Sequence, residues 1–319
     1  MKEDDPDQPV NPSFISFLIS EAYERIQPNL HRTRLIRDEK YGLWLKCENE
    51  QNTGSFKWRG ALAKLSTFDA GLTIVTASTG NHGLGVANAS KLFDLQAKVF
   101  VPSTASPKKI ERLKKTGAEV IIVDGDSLVA ELTGKEFALK NNFEWVSPYN
   151  DPDVISGQGT IGYEISENLG RIDKAFITVG GGGLISGIGS WLKNHQTEVE
   201  IIGCQPANSP EMSISILAGH VIDAPDALPT LSDGSAGPLE HDSITFPVCQ
   251  EVVDRWILIT EEEIENAIRY LFNTHELVVE GAAGVAMATA MKEQHPGNSV
   301  VILCGGNIDP AIHQIICRK

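Results

Sequence analysis

The sequence predicts a doubly wound α/β fold built on two mostly parallel sheets. Three observations predict it. Short β-rich runs alternate with helical patterns along the 319 residues. The runs are continuously apolar rather than alternating in and out, as strands covered on both faces are. Two loops rich in glycine or hydroxyls stand where a strand gives way to a helix, the place where such folds bind ligands.

In chain order, residues 1–13 are polar and proline-bearing and read as a loose arm. Strands are expected at 72–77, 97–101, 118–123, 175–179, 199–203, 256–259 and 299–303, with helices between them at 81–93, 107–115, 184–193, 261–273 and 282–294. Strand-helix alternation implies right-handed crossovers. Residues 64–150 hold three or four β/α units closed by the turn-rich Ser147-Pro148-Tyr149-Asn150-Asp151-Pro152, and form a small mobile domain. Residues 1–63 with 151–319 form a larger, discontinuous domain. No internal repeat or low-complexity tract is visible, and the short tail after the last strand leaves no room for a regulatory domain.

Hydrophobic content of 41% with 22% charged residues is ordinary for a globular chain. A net charge of −15 repels phosphate backbones and anionic bilayers, which argues against nucleic acid or membrane as partner. Cys47, Cys204, Cys249, Cys304 and Cys317 make no CxxC pair, and their odd number fits reduced thiols in a cytoplasm. The acidic opening Met1-Lys2-Glu3-Asp4-Asp5-Pro6 is not a signal peptide, and no apolar run is long enough to span a bilayer. A soluble, cytoplasmic chain is expected.

Four short segments carry chemistry. Gly180-Gly181-Gly182-Gly183 follows a strand and opens a helix, so bare backbone N–H groups and a helix N-terminus face the same point. That arrangement suits a phosphate; a flexible turn is the plain alternative. Leu184-Ile185 replace the Lys-Ser/Thr of a nucleotide P-loop. The dinucleotide glycine register fails as well: its third glycine falls on Ile185 or Ser186. Lys57 lies between Phe56 and Trp58, and apolar neighbours favour the free amine, although most lysines are solvated surface groups. Ser78-Thr79-Gly80-Asn81-His82-Gly83 offers hydroxyls and amides for a carboxylate, or is an ordinary cap with a hydrogen-bonding histidine. Cys304-Gly305-Gly306-Asn307 ends the last strand, where a thiol faces the ligand edge or simply packs.

Together these segments resemble the fold-type II pyridoxal-5′-phosphate (PLP) enzymes, of tryptophan synthase β-like architecture, and within them the serine/threonine dehydratase and serine racemase group. The matching stretches are residues 48–61, Ala77 to His82, Gly180 to Gly187, Glu280-Gly281-Ala282-Ala283-Gly284 and Cys304 to Asn307, in family order from about residue 14 onward. The resemblance implies that Lys57 carries PLP covalently and later moves the α-proton, and that Phe56 packs on the ring. Asn81 would bond the ring hydroxyl, Gly180, Gly181, Gly182 and Gly183 would hold the phosphate, and Cys304 would face the ring nitrogen. Ser78, Thr79, Asn81 and His82 would take the substrate carboxylate, with Thr79 also a candidate proton carrier on the face opposite Lys57. A thiol at the ring nitrogen makes a weaker electron sink than a carboxylate partner, which favours prompt loss of a β-leaving group. A homodimer is the family expectation.

Two departures stand out. Gln205-Pro206-Ala207-Asn208-Ser209-Pro210-Glu211 carries an amide where cation-binding members have an acidic residue. Gln205 and Glu211 are therefore weak candidate ligands, and no firm divalent-cation site is expected. Thr79 stands where many dehydratases have alanine and racemases serine.

The expected function is β-elimination of threonine or serine to a 2-oxo acid and ammonia. Alternatives are serine racemisation, or a lyase for phenylserine, hydroxyaspartate or a hydroxyectoine-pathway substrate. An NAD-dependent oxidoreductase conflicts with the glycine register, and an amino-acid-binding protein leaves Lys57 without a purpose. Residues 233–238 border the expected side-chain pocket, whose volume letters do not give.

Overall fold

A computed structural model describes residues 10–223, 227–295 and 297–318. The first nine residues of the expected arm lie outside them. The arm's last two residues do not belong to it: α1 (Pro12–Ile26) already includes Pro12 and Ser13. Asn11 caps that helix by accepting from the Phe14 N–H at 2.9 Å, and Pro12 sits at its first position, where no N–H is needed.

The chain continues through β1 (Leu35–Asp38), β2 (Leu43–Lys46), α2 (Lys57–Leu65), β3 (Thr73–Ala77), α3 (Asn81–Leu92), β4 (Gln96–Pro102) and α4 (Pro107–Lys114). Next come β5 (Glu119–Val123), α5 (Ser127–Asn141), β6 (Glu144–Trp145), α6 (Pro152–Leu169), β7 (Lys174–Thr178), α7 (Gly183–His195) and β8 (Glu200–Pro206). The last elements are α8 (Glu211–Ala218), α9 (Thr245–Val252), β9 (Arg255–Ile259), α10 (Glu261–His275), α11 (Gly281–Met291), β10 (Ser299–Ile302) and α12 (Pro310–Arg318).

Two sheets result. One has six strands in the order β1-β2-β10-β7-β8-β9, parallel except for the antiparallel edge strand β1. The other has four parallel strands in the order β5-β4-β3-β6. All seven expected strands form, within about two residues of their expected ends at most positions, because continuous β-branched runs admit few alternatives. β1, β2 and β6 were not expected. Leu35-Ile36-Arg37-Asp38 mixes charge into an edge, and β6 has only two residues. The helix expected over 282–294 is the shorter α11; Lys292 and Glu293 form its turn and cap.

The larger sheet carries the main core, with α11, buried from Gly281 to Ala290, packed against β7, β8, β9 and β10, and with α7 against β7 and α6 against α7. Smaller cores lie around β3, β4 and α3. Salt bridges span the cleft between the two sheets: Lys109 with Asp233 at 3.0 Å and Lys135 with Glu240 at 2.7 Å. Among the described residues no helix is long and apolar enough to cross a membrane.

Candidate active site

Lys57 is the first residue of α2 and the end point of a stitched segment. Asn49 N–H donates to Leu303 O at 2.9 Å, Gly306 N–H to Gly54 O at 2.9 Å and Phe56 N–H to Cys304 O at 3.0 Å. Residues 49–56 are thus laid against the loop after β10, which holds Lys57 and Cys304 at the same place. Two residues further along α2, the buried Arg59 guanidinium takes both oxygens of Glu48 at 2.8 Å and both of Glu164 at 2.9 Å. Lys46 completes the cluster with a 2.6 Å bond to Glu164. Two cations balance two carboxylates with bidentate geometry, so the buried charges are compensated and α2 is fixed in rotation.

The Lys57 amine donates to Pro148 O at 2.7 Å, and burial brings its pKa down to about 8, against the opposing pull of Cys304 and Glu280. It sits between two adjoining cavities, lining both together with Phe56, Gly234, Ala282 and Cys304. The Phe56 ring centroid is 5.0 Å from the Lys57 Nζ.

The smaller cavity, about 40 Å³, is the glycine loop's own. Each glycine there is required by a close neighbour. A Cβ on Gly180 would lie 2.9 Å from Ser235, on Gly181 2.3 Å from the Tyr149 ring, and on Gly183 2.6 Å from Gln158 Oε1. Gly182, the cap of α7, has φ +86°. Backbone is therefore the only surface this loop presents, at the amino end of a helix, which fits a phosphate group. The residues present thus fit PLP: a phosphate cradle on one side of Lys57 and an open cavity on the other.

That second cavity, about 300 Å³, lies in the cleft between the sheets. Ser78, Thr79, Asn81 and His82 line it from the turn between β3 and α3. The turn is tight: Ser78 Oγ accepts from Gly80 N–H at 3.1 Å, and a Cβ on Gly83 would come within 2.3 Å of Ser78 O. The His82 ring is already committed to Val146 O at 3.1 Å, and burial, then the Lys57 charge, lowers its pKa to about 3. It is a neutral, fixed donor. Burial raises the Cys304 thiol well above its ordinary value, so it is a neutral thiol beside Lys57.

Gln205 and Glu211 lie elsewhere, behind the glycine loop. The Gln205 amide donates to Val179 O at 3.2 Å and accepts from Ser213 N–H at 2.8 Å, while both Glu211 oxygens accept from Ser209 Oγ. No group of three or more His, Cys, Asp or Glu suited to a metal ion occurs among the described residues.

Several contributors carried no signal of their own in the sequence. Tyr149, Ser235 and Gln158 press on the glycine loop, and Thr245 Oγ donates to Gly181 O at 2.6 Å. Glu280, inside a recognised motif but without an assigned role, reaches the main cavity; burial raises its pKa to about 7. Asp233 and Gly234 line that cavity, but Ser235 backs Gly180, so this segment borders the glycine loop as well as the main cavity.

Comparison with known proteins agrees with this geometry. The "Pyridoxal-phosphate dependent enzyme" family matches residues 24–305. An L-threonine ammonia-lyase of Thermotoga maritima is 39% identical over 315 residues, covering 94% of this chain and 77% of that one. The structure of maize serine racemase superposes with a TM-score of 0.86 at 29% identity, covering 94% and 95% of the two chains. The processed threonine deaminase isoform 2 of Solanum lycopersicum gives 0.88 at 27% identity, covering 98% and 90%. With a lysine between the glycine-loop cavity and the main cleft, and a family match spanning residues 24–305, the chain belongs to the pyridoxal-phosphate dependent enzymes.

Proposed function

We propose that this enzyme is a threonine/serine ammonia-lyase, a dehydratase that removes the β-hydroxyl of a small hydroxy amino acid and yields a 2-oxo acid and ammonia. The observation that carries the reading is the position of the Lys57 amine, shared by the glycine-loop cavity and the cavity of Ser78 to His82. The threonine ammonia-lyase relative supports the substrate class. When bound, PLP supplies an electron-accepting ring joined to the amino group of the substrate.

The chain's own groups do the rest. Gly180 to Gly183 bind the phosphate through backbone N–H groups and the start of α7. Ser78, Thr79 and the backbone of Asn81 and His82 take the substrate carboxylate, since the His82 ring is held by Val146 O, and the Asn81 side chain would face the ring hydroxyl of PLP. Lys57, with its pKa near 8, is poised to carry the proton from Cα. Loss of the β-hydroxyl as water leaves an enamine that takes up water and releases ammonia, so no net water is consumed. Cys304, a neutral thiol, offers no charge to hold a ring nitrogen protonated, and this favours expelling the β-group over holding charge in the ring. Residues 64–150 act as the mobile part that closes the cleft, and the protein works as a cytoplasmic homodimer.

Racemisation of serine is the second reading, favoured by Thr79 in the same cavity as Lys57 and by the likeness to serine racemase. Release of 2-oxo acid from threonine, serine, hydroxyaspartate and phenylserine, by wild type and Lys57→Ala, tests the assignment. Turnover of threonine or serine, with yellow colour and activity both lost in the variant, is expected. A Lys57→Ala enzyme that keeps full turnover refutes it.

A further inference from the structure

Glu280 is a buried acid in the main cavity for which the elimination chemistry above has no use. It stands before α11 and accepts two hydrogen bonds: Asn81 Nδ2 to Oε1 at 2.7 Å, and Asn307 N–H to Oε2 at 3.1 Å. Asn307 in turn donates its amide to Asn81 Oδ1 at 2.6 Å and to Thr53 O at 2.9 Å, while its Oδ1 accepts from Arg112 Nη2 at 2.7 Å.

These partners admit one arrangement. Thr53 O needs a donor and Arg112 offers only donors, so the orientation of the Asn307 amide is determined. Asn81 must then present its oxygen to Asn307 and its nitrogen to Glu280. One N–H of Asn81 is left uncommitted, in the cavity that Asn81 lines. The clamp also crosses the cleft: Asn81 and Arg112 belong to α3 and α4 of the four-stranded part, Glu280 and Asn307 to the six-stranded part.

We propose that Glu280 is a positioning residue which, with Asn307, locks the Asn81 amide so that its one free N–H is kept for an oxygen of the bound cofactor. The inference rests on the reading above that Asn81 faces PLP. Replacement by glutamine cannot preserve the lock. If Gln Oε1 accepts from Asn81, its NH₂ meets the Asn307 N–H, donor against donor; if turned, it meets the Asn81 NH₂ instead. The charge acts as well. Lys57, Cys304, Asp233 and Lys109 are the titratable groups that act on Glu280 or lie beside it. The carboxylate favours a protonated nitrogen on Lys57, so removing it should lower that nitrogen's pKa.

The test compares wild type with Glu280→Gln for PLP dissociation constant, pH titration of the visible cofactor absorbance, and kcat and KM. Expected are PLP bound at least tenfold more weakly, a titration midpoint moved to lower pH, and kcat reduced far more than KM is raised. Asn81→Asp sets two carboxylates face to face, and adding Glu280→Gln should restore PLP affinity relative to that single variant. A Glu280→Gln enzyme with unchanged PLP affinity and midpoint overturns the proposal, as does a double variant no better than Asn81→Asp. Should Glu280→Gln fail to fold, Asn307→Ala removes the clamp from the other side; weaker PLP binding supports the lock, and unchanged binding overturns it. A wild-type protein with no lysine-linked cofactor absorbance defeats the underlying reading instead, which separates the two failures.

Discussion

Gly181→Ala isolates the proposed phosphate cradle from the rest of the site. The added Cβ would lie 2.3, 2.5 and 2.6 Å from three atoms of the Tyr149 ring, where carbon contacts settle at about 3.5–4.0 Å. The ring would have to retreat by more than about 1 Å. It is not free to do so: Tyr149 OH accepts from Glu240 N–H at 3.0 Å, and Glu240 is itself held by Lys135 and Asn150. Overpacking of this kind costs about 1–3 kcal/mol, and losing the tyrosine hydrogen bond adds about 1 kcal/mol. At about 1.4 kcal/mol per tenfold, PLP should bind roughly 30- to 700-fold more weakly if the loop relaxes when empty. If it does not relax, the same cost appears as a lower Tm of the apoenzyme. Equilibrium dialysis against PLP and a thermal melt of the apoenzyme measure both. A variant with wild-type affinity and wild-type Tm would show that Tyr149 does not back the glycine loop, and the cradle argument would fail.

Two further outcomes follow from the same geometry. Both ends of the Gln205 amide are committed within the protein, so exhaustive chelation should change neither Tm nor rate; a fall restored by Mg²⁺ would refute this. Thr79→Ala should reduce any serine racemisation more than elimination, and Thr79→Ser should raise it, because the β-branch of threonine restricts its hydroxyl. Chiral analysis of serine after incubation decides, and equal racemisation in wild type and Thr79→Ala removes Thr79 from proton transfer.

What the sequence reveals here is what local pattern encodes. The apolar runs of β3, β4, β7 and β8 are strands in almost any context, and Gly180 to Gly183 announce an uncovered backbone wherever they fall. Asn11-Pro12 is a readable helix start whose signal is obscured by the polar residues before it. Tyr149 and Ser235 were not legible as cradle residues, because nothing local in Ser147-Pro148-Tyr149 or Asp233-Gly234-Ser235 specifies a glycine 32 or 55 positions away. Long-range contact is a property of the folded chain, and neither residue type is unusual in a turn.

The buried ions show the same division more sharply. Lys46, Glu48, Arg59 and Glu164 are each, in the sequence, an ordinary surface residue type, and isolated burial of any one would be prohibitive. They become affordable to the fold only as a set, drawn from β2, the segment after it, α2 and α6, with each carboxylate facing a guanidinium edge. Arg59 lies two residues beyond Lys57, so the cluster holds the helix on which the reactive amine rides. The backbone bonds from Phe56 and Gly54 to the loop of Cys304 hold that helix's first residue from the other side. Lys57 is thus braced on both flanks while its own amine meets a backbone carbonyl, Pro148 O, in place of a carboxylate. A carboxylate there would raise the amine's pKa and keep it charged; a carbonyl in a buried site leaves it near 8, where a proton can be taken up and given back.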